Sequence, residues 1–246
     1  MSLLRSAVEP IISVILPEQC RVCVARECGL ASGVVCEHCW QNAQVFTSET
    51  PLCAKCGIPI TAPSRQTKPV CGQCDKWSFD RAIACGVYHG ALAGTIIALK
   101  ERPLVPPRTV HLIHSTLKRV NDRNFDLVIP VPLSQKRELE RGFNQAEKIA
   151  WVVSQYSKIP LMDSVLERMV HTPLHRAGMD DRARELTVEK AFNVSNADAI
   201  RGKNILLVDD VLTSGATADA CAAVLKKKGA SSVIVFTVAR AVYRRQ

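Results

Sequence analysis

The sequence predicts an α/β protein in which a mainly parallel sheet with flanking helices is preceded by a small cysteine-rich module. Three observations lead there. Nine of the eleven cysteines lie before residue 80. Beyond that point short apolar runs alternate with stretches of helical period, the pattern of β-α-β units. Several of those runs are almost wholly apolar, as strands covered on both faces are. A chain of 246 residues accommodates one α/β domain of ordinary size plus an appendage. The division is expected at residues 1–80 and 81–246, because the composition changes between Trp77 and Arg81.

At the start, Leu4, Val8, Ile11, Ile12 and Ile15 fall on one face of a helix. The run is too short for a membrane span, which needs roughly 20 apolar residues. Glu9 and Pro10 interrupt it, and Pro17-Glu18 follow where a leader would carry small residues. No later segment is more apolar, so the expectation is a cytoplasmic protein with no membrane span. Lys and Arg outnumber Asp and Glu by 32 to 23, a balance that favours anionic partners without choosing between phosphorylated small molecules and nucleic acid.

Next come Cys20-Arg-Val-Cys23 and Cys36-Glu-His-Cys39, twelve residues apart, then Cys53-Ala-Lys-Cys56 and Cys71-Gly-Gln-Cys74, fourteen apart. Two cysteines with two residues between them turn both thiolates toward one ion, and a second such pair completes a tetrahedron. Cys20 and Cys23 precede Cys53 and Cys56 by the same thirty-three residues, so the module reads as a repeat holding two structural zinc ions. The expected ligand sets are Cys20, Cys23, Cys36 and Cys39 for one ion and Cys53, Cys56, Cys71 and Cys74 for the other, with an interleaved pairing as the alternative. Disulfides or redox pairs are the alternatives, and Cys28 could replace one of the eight ligands. Cys85 and Cys221 fall in strand and helix patterns as small apolar residues.

After residue 80 the spacing predicts a strand over Ile83–Tyr88, a helix over Leu92–Lys100 and, past Pro103, Pro106 and Pro107, a second helix over Thr109–Val120. A buried strand over Phe125–Val131 and a helix over Asn144–Tyr156 follow. The polar stretch from Arg168 to Thr187 reads as a mobile loop. A third strand over Ile205–Val208, a helix over Ala216–Lys228 ended by Gly229, and a last strand over Ser232–Ala239 complete the sheet.

The run from Ile205 to Thr217 carries the most chemistry: a strand, the carboxylates Asp209 and Asp210, and the small loop Thr213-Ser214-Gly215-Ala216-Thr217 opening a helix. Ligands of open α/β sheets bind at the carboxyl edge of the strands. Backbone N–H groups at a helix start, with the hydroxyls of Thr213, Ser214 and Thr217, suit a phosphate. Adjacent acids beside a phosphate would repel it unless they met hydroxyls or a magnesium shell, and a ribose 5-phosphate supplies the hydroxyls. A P-loop enzyme is excluded by the lack of GxxxxGK[ST]. A receiver domain is excluded because too little chain follows the acids.

A second strand-end loop, Pro132-Leu133-Ser134, leads into Lys136, Arg137 and Arg141, at least one of which could face the same ligand from across the sheet edge.

The segment Asp209 to Thr217 resembles the phosphoribosyl-diphosphate (PRPP) motif of type I phosphoribosyltransferases. That likeness implies that Asp209 and Asp210, the catalytic candidates, contact the ribose hydroxyls and that residues 213–217 hold the 5-phosphate. It also implies Mg2+-bound diphosphate as leaving group, with Pro132, Leu133, Ser134, Arg137, Arg141 and Lys100 as candidates beside it. Together with the CxxC pairs, the IPVPL and RGFNQA segments and Leu99-Lys100 make the chain similar to the ComF family. The resemblance implies a double zinc ribbon on a type I phosphoribosyltransferase-like fold, linked in some members to DNA uptake and competence. Between Leu166 and Phe192 the chain departs from the family, with Arg176 and Thr187 where members carry Gln and Asn. Two readings follow: a phosphoribosyltransferase of unspecified acceptor, or a nucleotide-sensing or scaffold protein that binds single-stranded DNA or a competence helicase. For the second, Lys226, Lys227, Lys228, Arg240, Arg244 and Arg245 are the basic candidates and Trp40 and Trp77 the aromatic ones. An aromatic content of 5% is low for a stacking groove.

Overall fold

The computed structural model describes residues 18–29, 32–60, 70–71, 74, 76–120, 124–169 and 191–242. The expected N-terminal helix lies outside these, as do Arg176, Thr187, Arg244 and Arg245.

The cysteine-rich module begins with β1 (Glu18–Gln19) paired antiparallel to β2 (Glu27–Cys28), followed by a short helix α1 (Glu37–Gln41). Regular elements there are brief because each CxxC turn consumes the backbone around it. The rest runs β3 (Arg81–Val87), α2 (Gly90–Leu99), α3 (Pro107–Arg119), β4 (Leu127–Pro130), α4 (Gln135–Arg141) and α5 (Gln145–Ser157). Then follow β5 (Leu166–Arg168), β6 (Phe192–Val194), β7 (Asn204–Leu212), α6 (Ala216–Lys227) and β8 (Ser232–Arg240).

β3, β8, β7 and β4 form one four-stranded sheet in that order, and every neighbouring pair is parallel. The strands alternate as the pleat requires. Leu206, Val208, Ile234, Phe236 and Val238 face one core with Leu92, Ile96, Ile113 and Ile149 of the helices α2, α3 and α5. Ile205, Leu207, Val233 and Val235 face the other, with Cys221 and Leu225 of α6 and Phe192 of β6. Both faces are thus covered, which is why the strands read as continuous apolar runs. Cys85 and Cys221 are fully buried.

Three of the differences from expectation have a clear physical cause. Pro107 does not merely break a helix but occupies its first turn, where its missing N–H has no intrahelical partner to lose. The third strand does not stop at Val208: β7 continues to Leu212 because β8 still pairs with it, Asp209 opposite Thr237 and Leu212 opposite Arg240. β4 ends opposite Val208, so the acids project past that neighbour. Arg168, placed at the head of a mobile loop, is instead the last residue of β5 and pairs with Phe192. The remainder of that loop, 170–190, lies outside the described residues. α6 ends as expected, with Gly229 at φ 103° and Ala230 N–H closing onto Leu225 O.

Candidate functional site

The eight CxxC cysteines form two separate groups, Cys20, Cys23, Cys36, Cys39 and Cys53, Cys56, Cys71, Cys74, with the sulfurs of each group within 4.8 Å of one another. The pairing is sequential, not interleaved. Sγ–Sγ separations are 3.8 Å for Cys20–Cys39 and Cys23–Cys36, and 3.4 to 3.6 Å in the second group. A tetrahedron with Zn–S bonds of about 2.3 Å has edges of about 3.8 Å, whereas a disulfide needs about 2.05 Å. The donor set therefore fits zinc.

Backbone donors prepare one thiolate in each group. The N–H groups of Cys36 and Val22 point at Cys20 Sγ from 3.3 and 3.4 Å, and that of Cys71 points at Cys53 Sγ from 3.2 Å. Burial alone would raise both thiols, but these donors prevail and lower Cys20 to about 6 and Cys53 to about 7. Burial, then neighbouring sulfurs, push Cys39 and Cys56 up to about 12, so a cation is what lets all four ionise together. Cys28 stands behind the first group and is no replacement ligand. Its thiol is raised to about 12, by burial first and then by Cys20.

At the carboxyl edge of the sheet, β7 carries Asp209 and Asp210 beyond the end of β4. Asp210 is buried, 4% exposed, and its Oδ2 lies 3.5 Å from Lys100 Nζ at the end of α2 and accepts from Gln145 Nε2 at 3.3 Å. Asp209 is half-buried and turns Oδ1 back to accept from Asp210 N–H at 2.8 Å. Burial and then the charge of Asp210 hold its carboxyl well above the ordinary carboxylate range. The acids are thus not a solvated strand end.

The loop that follows leaves Thr213 and Ser214 exposed and Ala216 and Thr217 half-buried, around Gly215 at φ 87°. Gly215 is needed on two counts: the left-handed backbone, and a Cβ there would stand 2.7 Å from Trp77 Cζ2. α6 starts at Ala216, so its first N–H groups open toward the loop.

On the other side, Val131 N–H bonds to Val208 O and brings Pro132, Leu133 and Ser134 alongside the acids. Ser134 caps α4 by accepting from Arg137 N–H, and Asn144 caps α5 while donating to Val131 O at 3.0 Å. Arg141 reaches the acids through an intermediary: its Nη1 donates to Gln145 Oε1 at 2.9 Å, and Gln145 holds Asp210. Arg137 lies within electrostatic reach of Arg168, whose guanidinium is lowered by burial and then by Arg137 while Asp209 opposes. Lys136 is turned aside and pairs with Glu140 at 3.9 Å.

Sequence reasoning missed Gln145, Arg168, Trp77 and Arg240 as parts of this region. Gln145 was legible within RGFNQA; the others had no local signal. Arg240 also leaves the proposed basic surface cluster, since it is buried at 5% exposure and bonds to carbonyls, while Lys226 pairs with Asp80 at 2.6 Å. Trp40 is 5% exposed and fills the first ribbon's core, while Trp77 is half-buried with its ring against Gly215.

Comparison with known proteins places a double zinc ribbon domain at residues 11–86 and a phosphoribosyl transferase domain at residues 152–245. The chain is similar to Competence protein F of Haemophilus influenzae, 28% identical over 86% of this chain and 93% of that protein. It is also similar to Competence protein ComFC of Bacillus subtilis, 29% identical over 84% of each. DNA utilization protein YhgH of Escherichia coli is 26% identical over 84% of this chain and 90% of its own length. The chain thus joins a double zinc ribbon domain to a phosphoribosyl transferase domain and is similar to the competence proteins F and ComFC across most of their length.

Proposed function

We propose that the chain binds PRPP or another ribose 5-phosphate compound together with Mg2+ at the carboxyl edge of β7 and β4, as a phosphoribosyltransferase. Asp209 and Asp210 accept hydroxyls of the ribose, and Thr213 to Thr217 receive the 5-phosphate at the start of α6. Lys100, Arg137 and Arg141, with the loop Pro132-Leu133-Ser134, flank the diphosphate. The observation that carries this reading is Asp210, buried yet held between Lys100 and Gln145 directly before the phosphate-shaped loop.

Two carboxylates side by side suit a hard cation and neutral hydroxyls, and Asp209 stays protonated until such a partner draws out its charge. Bound Mg2+ would supply charge neutralisation for the diphosphate. The chain's own part is positioning: Lys100 beside Asp210 and the fixed donors of the loops oppose charge that develops as the C1–oxygen bond of the diphosphate lengthens and an acceptor atom bonds to C1.

The competence and DNA-utilization names of the relatives support a role for this chemistry in the use of incoming DNA. A thermal-shift titration with PRPP and Mg2+, set against ribose 5-phosphate and single-stranded DNA, tests it. A rise in melting temperature with the two ribose phosphates supports the site; a rise with DNA alone would make the chain a DNA-binding member instead.

A further inference from the structure

Arg240 closes the last strand of the sheet with its guanidinium buried, and every hydrogen bond it makes goes to a backbone carbonyl. Nε donates to Cys56 O at 3.2 Å; Nη1 lies 2.8, 2.6 and 2.9 Å from Leu212 O, Thr213 O and Ala241 O. Cys56 is a ligand of the second cysteine group, and Leu212 and Thr213 are where β7 turns into the phosphate loop. One rigid fork therefore spans the metal turn and the loop.

A second contact runs parallel to it. Trp77 packs against the second cysteine group, beside Ile58 and Ile60, and its ring lies where a Cβ on Gly215 would be. The next residue anchors the same segment, since Ser78 N–H donates to Asp219 Oδ1 in the first turn of α6. Among the described residues the first cysteine group has no such route. It packs on α2, where Val22 and Val35 crowd Gly94 and Arg21 pairs with Glu101 at 2.7 Å.

From this geometry we propose that Arg240 is a positioning residue for the phosphate loop, and that the second zinc ribbon, through Arg240 and Trp77, holds residues 213–217 in the ordered conformation the site uses. Metal occupancy of the second group then governs the loop, and with it the affinity for a ribose 5-phosphate. That last step rests on the function proposed above; the ordering of the loop does not.

Hydrogen exchange followed by mass spectrometry on the full chain reads the ordering without any ligand. Arg240→Met removes a buried donor that serves several carbonyls and is expected to speed exchange of the 212–217 amides by about tenfold. Peptides of β4 and α5 should stay as in the parent. Cys71→Ser, which breaks the second group, should act on the loop as Arg240→Met does, Cys23→Ser in the first group should not, and Arg240→Lys should recover part of the protection. Trp77→Leu keeps the metal groups and Arg240 intact and should loosen the same amides even if Arg240→Met does not fold. Unchanged loop exchange in the folded Arg240 and Trp77 variants, or equal loosening by Cys23→Ser and Cys71→Ser, overturns the proposal. Calorimetry with ribose 5-phosphate completes the series, with affinity expected to fall about tenfold in Arg240→Met. A parent that binds no ribose 5-phosphate, while its loop responds as described, removes the binding assignment and leaves the zinc-to-loop coupling standing.

Discussion

Gln145 at the start of α5 donates from Nε2 to Oδ2 of Asp210, sixty-five residues further along the chain, at 3.3 Å. On its other side it accepts from Arg141 at 2.9 Å, so the amide is oriented and relays a guanidinium toward the acid. Gln145→Leu removes both bonds and leaves Lys100 as the cationic partner of Asp210 among the described residues. Loss of a hydrogen bond to a charged group costs about 1.5 to 3 kcal/mol, so PRPP affinity measured by calorimetry is expected to drop about tenfold or more. Gln145→Glu should be worse, because it sets a third carboxylate against the pair.

Asp209 supplies a pH dependence with a definite sign. Its carboxyl in the folded protein titrates above its unfolded value, chiefly through burial and then through Asp210, so the folded state holds the proton more tightly. The associated stability is present below the ordinary carboxylate pKa and is lost as pH rises through the folded value. Asp209→Asn removes that loss. The melting temperature of the variant should exceed that of the parent by an amount that grows as pH rises above the ordinary carboxylate range of about 4, read by thermal scans.

The double variant Asp209→Asn, Asp210→Asn should fold and fail to bind PRPP. In the parent, binding of the ionised pair to magnesium or hydroxyls draws the proton off Asp209, so binding should release a proton and tighten with rising pH. Calorimetry in buffers of different ionisation heat measures that release. Parent-like PRPP binding by the double variant would show that the acids do not touch the ribose.

Elemental analysis should return two zinc equivalents per chain, one for each cysteine group. Cys74→Ser should lose one of them and Cys39→Ser the other, because the groups share no ligand. Affinity should weaken as pH falls, since each ion binds only after the remaining thiols, such as Cys39 and Cys56 at about 12, give up their protons.

Phe236 sits in the middle of β8 with no exposure, packed with Leu206 and Ile234 under the helices. Phe236→Ala leaves a cavity in a sheet buried on both faces and is expected to cost about 3 to 5 kcal/mol, measured by denaturant unfolding.

Periodicity along the chain carried the strand and helix order, because a strand buried on both faces must be apolar throughout and a helix covering it must repeat every three to four residues. Spacing carried the zinc ligands, because a CxxC turn is a local geometry that needs no distant partner. The acids and the Thr213 to Thr217 loop were legible for the same reason: strand, acids and helix start follow one another within a few residues. The division of four CxxC pairs into two sequential groups was the expected one, and the structure decided it over an interleaved pairing that would satisfy the local turns equally. The end of β7 was not legible, since it depends on how far β8 runs beside it.

The sequence by itself determined the kinds of parts present: a parallel sheet, eight thiolate ligands in turns, and a phosphate-shaped loop behind two acids. Tertiary structure alone decided what stands around them. Asp210 meets Lys100 from α2 and Gln145 from α5, and Arg240 gives up the surface to tie Cys56 to Thr213. These contacts join residues tens to hundreds of positions apart. A local pattern records only what its own neighbours require, whereas burial of a charge is settled by whichever distant donors and carbonyls the packed sheet brings to it.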